Sequence, residues 1–190
     1  MRVELLLSLI VFSLLLFVRA DIVLLVAYII LAGYFIWYKK KHNFARLALA
    51  TIITLIWAYL GREQYGYNHD YLSFFGINFL PLFAWSLGLT GIYTIFLLIK
   101  KYFVIEKKYK DVIIFLVVYW SALLLIETIG YHAFNVHDLQ TALYEGLPIC
   151  DCMHAPNWMR AVYFLLGPLF FIICYVLKLE KLESEPIKYE

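Results

Sequence analysis

Residues 112–130 read VIIFLVVYWSALLLIETIG, and this stretch decides the class of protein. It contains one charged residue, Glu127, near its end. An α-helix needs about 20 predominantly apolar residues to cross the hydrocarbon core of a bilayer. The stretch therefore predicts a membrane-spanning helix that carries a carboxyl group close to one membrane boundary.

The composition of the whole chain agrees with a membrane protein. Hydrophobic residues make up 64% of the 190 residues and the mean hydropathy is +0.80, whereas a soluble domain is about 45–50% apolar. A chain of this length has too small an interior to bury the excess. The 16 Tyr and 5 Trp are of the types that favour membrane interfaces. A net charge of +2 is too small to indicate nucleic-acid binding.

Six apolar stretches predict an all-α, polytopic helix bundle that forms a single integral membrane domain over residues 1–190. The predicted spans are residues 4–18, 22–38, 44–60, 74–99, 112–130 and 158–177. The first two are short and are separated only by residues 19–21, which predicts a helical hairpin with snorkelling ends. The first stretch also resembles a signal peptide, an alternative that would leave five spans. The charged residues 180–190 predict a frayed cytoplasmic tail.

Lysine and arginine lie in alternate connections between the predicted spans. They concentrate in residues 39–46, 100–110 and 178–188, whereas the loops after the third and fifth spans carry only Arg62 and Arg160. Cytoplasmic loops carry an excess of Lys and Arg. Both termini are therefore predicted to be cytoplasmic, with the two poorly charged loops on the extracytoplasmic side.

Two segments at the extracytoplasmic ends of the third and fifth spans share a pattern. Residues 63–70 read EQYGYNHD, and residues 127–131 read ETIGY and are followed by Asn135, His137 and Asp138. Each is E-x-x-G-Y followed by an Asn, a His and an Asp. Residues four positions apart on a helix share one face. Glu63 would therefore share a face with Tyr67, and Glu127 with Tyr131. The pattern predicts a parallel internal repeat of spans 3–4 and 5–6, and the alternative is chance similarity in a Tyr-rich chain.

The same two segments supply the candidate catalytic residues. A charged side chain at the centre of a membrane costs about 2.5–3.5 kcal/mol on some scales, and it usually persists where it faces a cavity, a partner or a substrate. Carboxyl groups with nearby imidazoles suit general acid–base catalysis. Glu127 is the carboxyl group predicted to lie deepest in the membrane. The alternative to a functional role is that Glu127 lies shallow enough to reach the water of the headgroup region. The candidates are Glu63, Glu127, His69, His137, Asp70 and Asp138.

The loop before the last span holds the densest cluster of metal-ligand residue types, CDCMH over residues 150–154. Thiolate and imidazole groups suit a zinc or copper ion. The candidate metal ligands are Cys150, Cys152, His154 and His132. His137 could take the place of His132. Two alternatives stay open, a local disulfide between the two cysteines on an oxidising face and two free thiols. No nucleotide-binding or zinc-protease motif is present, so no cofactor-binding residue is predicted.

The loop between the fifth and sixth spans also carries helix signals. Asp138 suits an N-cap, and Gly146 before Pro148 suits a helix end. These signals predict a short helix over residues 139–145, at the membrane interface or over a cavity. Asn157 is expected to cap the span that follows.

Span four contains residues that affect helix packing. Gly88 and Gly91 predict a close approach of neighbouring helices, and Pro81 predicts a kink. Because a kink frees backbone carbonyls, Asn78 and Trp85 are candidates to line a cavity.

Part of the chain, residues 57–93, carries a family resemblance. The matching residues are Glu63-Gln64-Tyr65-Gly66-Tyr67, Tyr71, Gly76, Pro81-Leu82 and Trp85. This arrangement resembles multi-pass carotenoid-biosynthesis membrane proteins of the hydratase and cyclase type. The fuller glycine pattern of that family is missing, and residues 150–154 have no counterpart in it. The resemblance implies isoprenoid-lipid chemistry, with Glu63 as an acid–base residue.

Three hypotheses for the function follow. The first is a membrane enzyme that acts on a lipid or isoprenoid substrate, with carboxylates at the extracytoplasmic boundary as acid–base groups. The second is a binding or transport protein for a metal ion or small solute, with the Cys/His loop as the entry site. The third is an accessory subunit without chemistry of its own. The expected partners are the lipid bilayer and a lipid or isoprenoid substrate. Nucleic acid is not an expected partner.

Overall fold

Long apolar helices dominate the computed structural model of the chain, which describes residues 19–103 and 108–180. The helices are α1 (Ala20–Trp37), α2 (Lys41–Leu60), α3 (Phe79–Tyr102), α4 (Lys108–His132) and α5 (Asn157–Val176). All 5 are long and apolar enough to cross a membrane. The chain is therefore an integral, multi-pass membrane protein. The first predicted span, the signal-peptide alternative and residues 181–190 of the predicted tail lie outside the described residues.

The predicted start of span four is wrong. Residues 73–78 form a small hairpin in which β1 (Ser73–Phe74) pairs antiparallel with β2 (Ile77–Asn78). Phe75 and Gly76 make its turn at φ values of 50° and 74°. Asn78 then caps α3, because its side-chain oxygen accepts a hydrogen bond from the backbone N–H of Leu80 at 2.9 Å.

Two predictions about the helix ends are also wrong. Pro81 is the third residue of α3, where the backbone N–H has no partner within the helix, so it forces no kink. Asn157 is the first residue of α5 and does not cap it. The N-cap is Pro156, whose carbonyl accepts from the N–H groups of Met159 and Arg160 at 2.9 and 3.1 Å.

Helix α3 is the centre of the bundle, because it packs against α1, α2, α4 and α5. Aromatic rings fill the core where α3, α4 and α5 meet. Tyr93 and Phe96 of α3 lie 5.9 and 5.7 Å from Phe115 of α4, measured between ring centroids. Phe171 of α5 stacks on Phe115 at 4.7 Å. These edge and offset contacts stabilise the bundle beyond the area that they bury.

Pro168 lies inside α5 and leaves one carbonyl group of this helix in need of a hydrogen-bond donor from α4. A proline has no N–H, so the carbonyl four residues earlier, that of Phe164, has no donor within the helix. The indole N–H of Trp120 on α4 donates to this carbonyl at 3.2 Å. At the neighbouring residue of each helix, the hydroxyl of Tyr119 donates to the carbonyl of Tyr163. The membrane interior has no water to satisfy these groups, so neighbouring helices must do so.

The connections gather at two ends of the bundle, which we call the basic end and the loop end. At the basic end, Lys100 Nζ bridges Asp111 at 2.5 Å and Glu180 at 3.2 Å, which joins α3, α4 and the end of α5. The loop end carries residues 61–78 and 133–156. There the fully buried Asp21 pairs with Arg19 at 2.8 Å and accepts from the N–H of Leu72 at 2.7 Å.

The contact between Tyr119 and Gly167 gives a test of the α4–α5 interface. A Cβ on Gly167 would lie 2.5 Å from three atoms of the Tyr119 ring, whereas a Cβ on Gly33 of α1 would meet nothing within 4 Å. We expect Gly167→Ala to lower the free energy of unfolding by about 1–3 kcal/mol because the helices must move apart. Gly33→Ala is the matched control. Thermal unfolding in detergent measures both, and an unchanged melting temperature for Gly167→Ala would contradict this packing.

Candidate ligand-binding groove

An elongated groove of about 740 Å³ runs along α3. Side chains of α3 form its floor, α1 and the end of α4 form its walls, and segments of the two long loops close the loop end. The lining residues of α3 extend from Leu80 to Leu98, which at 1.5 Å per residue is about 27 Å. This length is close to the roughly 30 Å thickness of the hydrocarbon core.

Small residues on one face of α3 make room for the groove. Ala84, Gly88, Gly91 and Ile95 all line it, and their spacing of four, three and four places them on one helix face. A Cβ on Gly88 or Gly91 would meet no heavy atom within 4 Å. The prediction that these glycines allow close helix packing is therefore wrong. Within the described residues Ala84, Gly91 and Ile95 are exposed, so the groove is open along this side.

The two loops that share the Asn-His-Asp pattern bind each other at the loop end. The backbone N–H of Asn68 donates to the carbonyl of His137 at 2.9 Å, and the N–H of His137 donates to the side chain of Asn68 at 3.0 Å. Asn68 Nδ2 also donates to the carbonyl of Asn135 at 2.9 Å. An antiparallel bridge between Tyr67 and Asp138 continues this junction. Residues far apart in sequence therefore close the groove together.

Asp138 lines the groove and fixes the junction. Its carboxylate accepts from the N–H groups of Gly66 and Gln140, each at 3.1 Å. The N–H of Leu139 donates to the carbonyl of Gly66 at 2.7 Å, so the chain is extended here. Residues 139–143 form turns, and the helix predicted over residues 139–145 is wrong. Burial raises the pKa of Asp138, and the backbone donors partly oppose this effect.

Glu127 is the acidic residue on α4 that faces the groove. Its side chain is half-buried and lines the groove at the loop end. It makes no hydrogen bond or ion pair with any residue in the ranges 19–103 and 108–180. The carboxyl group that the sequence predicts to lie deepest therefore lines a cavity near the end of α4.

Four tyrosines line the groove together with Glu127, and none of them was a candidate site residue from the sequence. Tyr65, Tyr67, Tyr131 and Tyr163 line the groove. Burial raises the pKa of Tyr65, and the charges of Glu127 and Asp138 add to the effect. The E-x-x-G-Y motif contains two of these residues and its second copy a third. Tyr163 is the seventh residue of α5, and no local sequence signal distinguishes it.

Two histidine rings stack on the ring of Tyr131. The ring centroid of His137 lies 4.2 Å from that of Tyr131, and the centroid of His154 lies 4.6 Å from it. His154 lines the groove and hydrogen-bonds through Nδ1 to the carbonyl of Tyr144 at 2.8 Å. His137 makes a similar bond through Nε2 to the carbonyl of Tyr131 at 3.2 Å. Of the two, only His154 lines the groove.

The candidate metal ligands are not arranged as a metal site. Cys150 and Cys152 form a disulfide, whereas a metal requires thiolates. His132 directs Nε2 to the carbonyl of Cys150 at 2.9 Å. Among the described residues, no group of three or more His, Cys, Asp or Glu side chains is placed to hold a metal ion. Of the alternatives that the sequence left open, the local disulfide is the one in this structure.

The remaining catalytic candidates lie outside the groove. Glu63 is exposed on the 3₁₀ helix Arg62–Gln64, after α2 has ended. Glu63 and Tyr67 therefore do not share a helix face, and that prediction is wrong. His69 is exposed and contacts the ring of Tyr71 at 5.7 Å. Asp70 is also exposed, and its backbone carbonyl accepts from Arg19 at 2.6 Å.

Comparison with protein-family models, with curated proteins and with solved structures finds no match for this chain. Any function must therefore be argued from the groove itself.

Proposed function

We propose that this chain is a membrane enzyme that binds a long-chain lipid or isoprenoid in the groove and uses Glu127 as an acid–base group. The observation that carries the proposal is the position of Glu127. It is a carboxyl group on a membrane-spanning helix, it faces a cavity, and it has no partner among the described residues. Such a group is costly in a membrane, so a bound molecule that interacts with it would explain why it is there.

The shape of the groove supports a long apolar ligand. Its volume of about 740 Å³ falls within the roughly 300–1,000 Å³ of small-molecule sites. Most lining side chains are aliphatic or aromatic, and the charged ones, Glu127 and Asp138, lie together at the loop end. A ligand with an apolar chain and one polar head fits this distribution, with the chain along α3 and the head beside Glu127.

The isoprenoid part of the proposal comes from the sequence resemblance, because the groove itself accepts any long apolar chain. Several residues of the resemblance, Tyr65, Tyr67, Pro81 and Trp85, line the groove. Glu63, the acid–base residue that the resemblance implies, is exposed and outside it. We therefore assign the acid–base role to Glu127.

We further propose six spans with both termini in the cytoplasm, so that the loop end lies outside. The excess of Lys and Arg at the basic end supports this orientation, as does the disulfide between Cys150 and Cys152 at the loop end, because disulfides persist in oxidising compartments.

Cysteine labelling in intact cells tests this orientation. After mild reduction, a membrane-impermeant maleimide is expected to label Cys150, which is partly exposed, from outside the cell. Cys174 is fully buried in α5 and is the internal control that should stay unlabelled. Labelling of Cys150 only after permeabilisation would place the loop end in the cytoplasm and contradict the proposal.

Substitution of Glu127 tests the acid–base role, and Glu63 offers a matched control from the other E-x-x-G-Y segment. The protein is reconstituted in nanodiscs with a total lipid extract of its source cells, and mass spectrometry follows the lipids that it converts. We expect Glu127→Gln to lower turnover by about 10²–10⁴-fold, the usual contribution of a general acid or base, and Glu63→Gln to leave it unchanged. Thermal unfolding confirms that both variants fold. Wild-type turnover in Glu127→Gln, or no conversion by the wild type, would refute the enzyme proposal.

A side chain placed in the groove tests its occupancy. Gly91→Leu should fill part of the groove without a clash, because a Cβ at Gly91 meets nothing within 4 Å. Gly33→Leu is the control, since Gly33 is equally unobstructed but does not line the groove. We expect the amount of co-purified long-chain lipid, measured by native mass spectrometry, to fall at least about tenfold in Gly91→Leu only, because the leucine occupies the space of the chain. Equal amounts of lipid in both variants would show that the groove is not the binding site.

A further inference from the structure

Two phenols at the loop end of the groove share a single hydrogen bond. Tyr65 Oη and Tyr163 Oη lie 3.1 Å apart, and either atom can donate. The indole N–H of Trp57 donates to Tyr65 Oη at 2.7 Å, so this oxygen already serves as an acceptor. Whichever phenol donates within the pair, the second phenolic hydrogen has no acceptor among the described residues.

That remaining hydrogen is available to the groove. Tyr65 and Tyr163 are only 8% and 7% exposed, and both line the groove. The rings of Trp57 and Trp85 hold Tyr163 in place, with centroids 5.8 and 5.0 Å from it. Burial raises the pKa of Tyr65, so its hydroxyl stays protonated. A buried donor without an acceptor is unfavourable, and an oxygen atom of a ligand head group would remove the penalty.

The charges around the groove restrict what that head group can be. The described residues that line the groove include no Lys or Arg, whereas they include Glu127 and Asp138. The arginines of the loop end, Arg19, Arg62 and Arg160, do not line the groove. Arg62 lies over the ring of Tyr59, at 4.5 Å from its centroid. Arg160 donates to the carbonyls of Met153 and Glu145, and Arg19 pairs with Asp21. Proteins bind phosphate through Arg and Lys, so a phosphate here would meet two carboxyl groups and neither Lys nor Arg among the described lining residues.

We infer that the ligand of the groove carries an uncharged oxygen-bearing head group, an alcohol or a carbonyl, which accepts a hydrogen bond from the Tyr65–Tyr163 pair, and that the phosphate ester of the same chain is excluded. This inference rests on the proposed function of the groove and adds the class of head group. Tyr65 and Tyr163 are then binding residues that set head-group specificity, separate from the acid–base role of Glu127.

Three probes with the same chain test the inference on the full-length protein in detergent. They are geranylgeraniol, geranylgeranyl phosphate and the matching hydrocarbon without the hydroxyl group, and native mass spectrometry measures their binding. We expect the alcohol to bind about 5–10-fold more tightly than the hydrocarbon, the effect of one hydrogen bond. The phosphate should bind at least about tenfold more weakly than the alcohol, because it meets two carboxyl groups and no Lys or Arg of the described lining.

Variants of the pair separate a specific hydrogen bond from general packing. Each single substitution, Tyr163→Phe or Tyr65→Phe, leaves one phenol whose hydrogen has no acceptor in the pair, so it should retain the preference for the alcohol. The double variant Tyr65→Phe/Tyr163→Phe keeps both rings and removes both donors, so hydrocarbon binding should be unchanged while the advantage of the alcohol disappears. Tyr102→Phe is the control, because Tyr102 is 81% exposed at the basic end. This control should retain the wild-type preference.

The outcomes distinguish the inference from the proposed function. If the phosphate binds as tightly as the alcohol, or if the alcohol and the hydrocarbon bind equally, the head-group inference is overturned while the groove remains a lipid site. If the double variant Tyr65→Phe/Tyr163→Phe retains the full preference for the alcohol, the Tyr65–Tyr163 pair is not the donor. If none of the three probes binds, the proposed groove function is overturned together with the inference.

Discussion

The absence of water inside a bilayer constrains the whole structure. Every backbone N–H and carbonyl in the membrane needs a partner within the protein, so the chain crosses as helices and places irregular segments at their ends. The hydrogen bond that is missing at Pro168 follows the same rule. Trp120 donates to the carbonyl of Phe164, which has no donor within its own helix. The hairpin of residues 73–78 and the two paired loops consequently lie at the loop end, beyond the ends of the helices.

At the loop end, the interaction between the two long loops creates the site. The Asn68–His137 pairing and the carboxylate of Asp138 join segments that follow α2 and α4. This junction brings Tyr65 and Tyr67 to the same groove as Glu127, which lies on α4 before the second loop begins. The groove continues from there along α3, because Gly88 and Gly91 leave space that larger side chains would fill.

The two copies of E-x-x-G-Y show how context determines the role of a residue. Glu127 lies on a continuous helix, and its side chain faces the groove. Glu63 follows the end of α2 on a short 3₁₀ helix and is exposed. In the first copy, the aromatic residues, Tyr65 and Tyr67, enter the groove in place of the carboxylate. The segments thus contribute different groups to one site, a carboxyl group from one and phenols mainly from the other.

The sequence by itself determined the membrane class, four of the described spans to within a few residues, and Glu127, Asp138 and His154 as groups at one end of the bundle. These follow from local hydropathy and residue type, which determine for each helix separately whether it can cross the bilayer. Only the tertiary structure decided that Glu63, His69 and Asp70 lie outside the groove, that Gly88 and Gly91 make a cavity, and that Tyr163 belongs to the site. Those facts depend on how helices rotate against each other and on hydrogen bonds between residues about 70 to 100 positions apart, which no local pattern in the chain encodes.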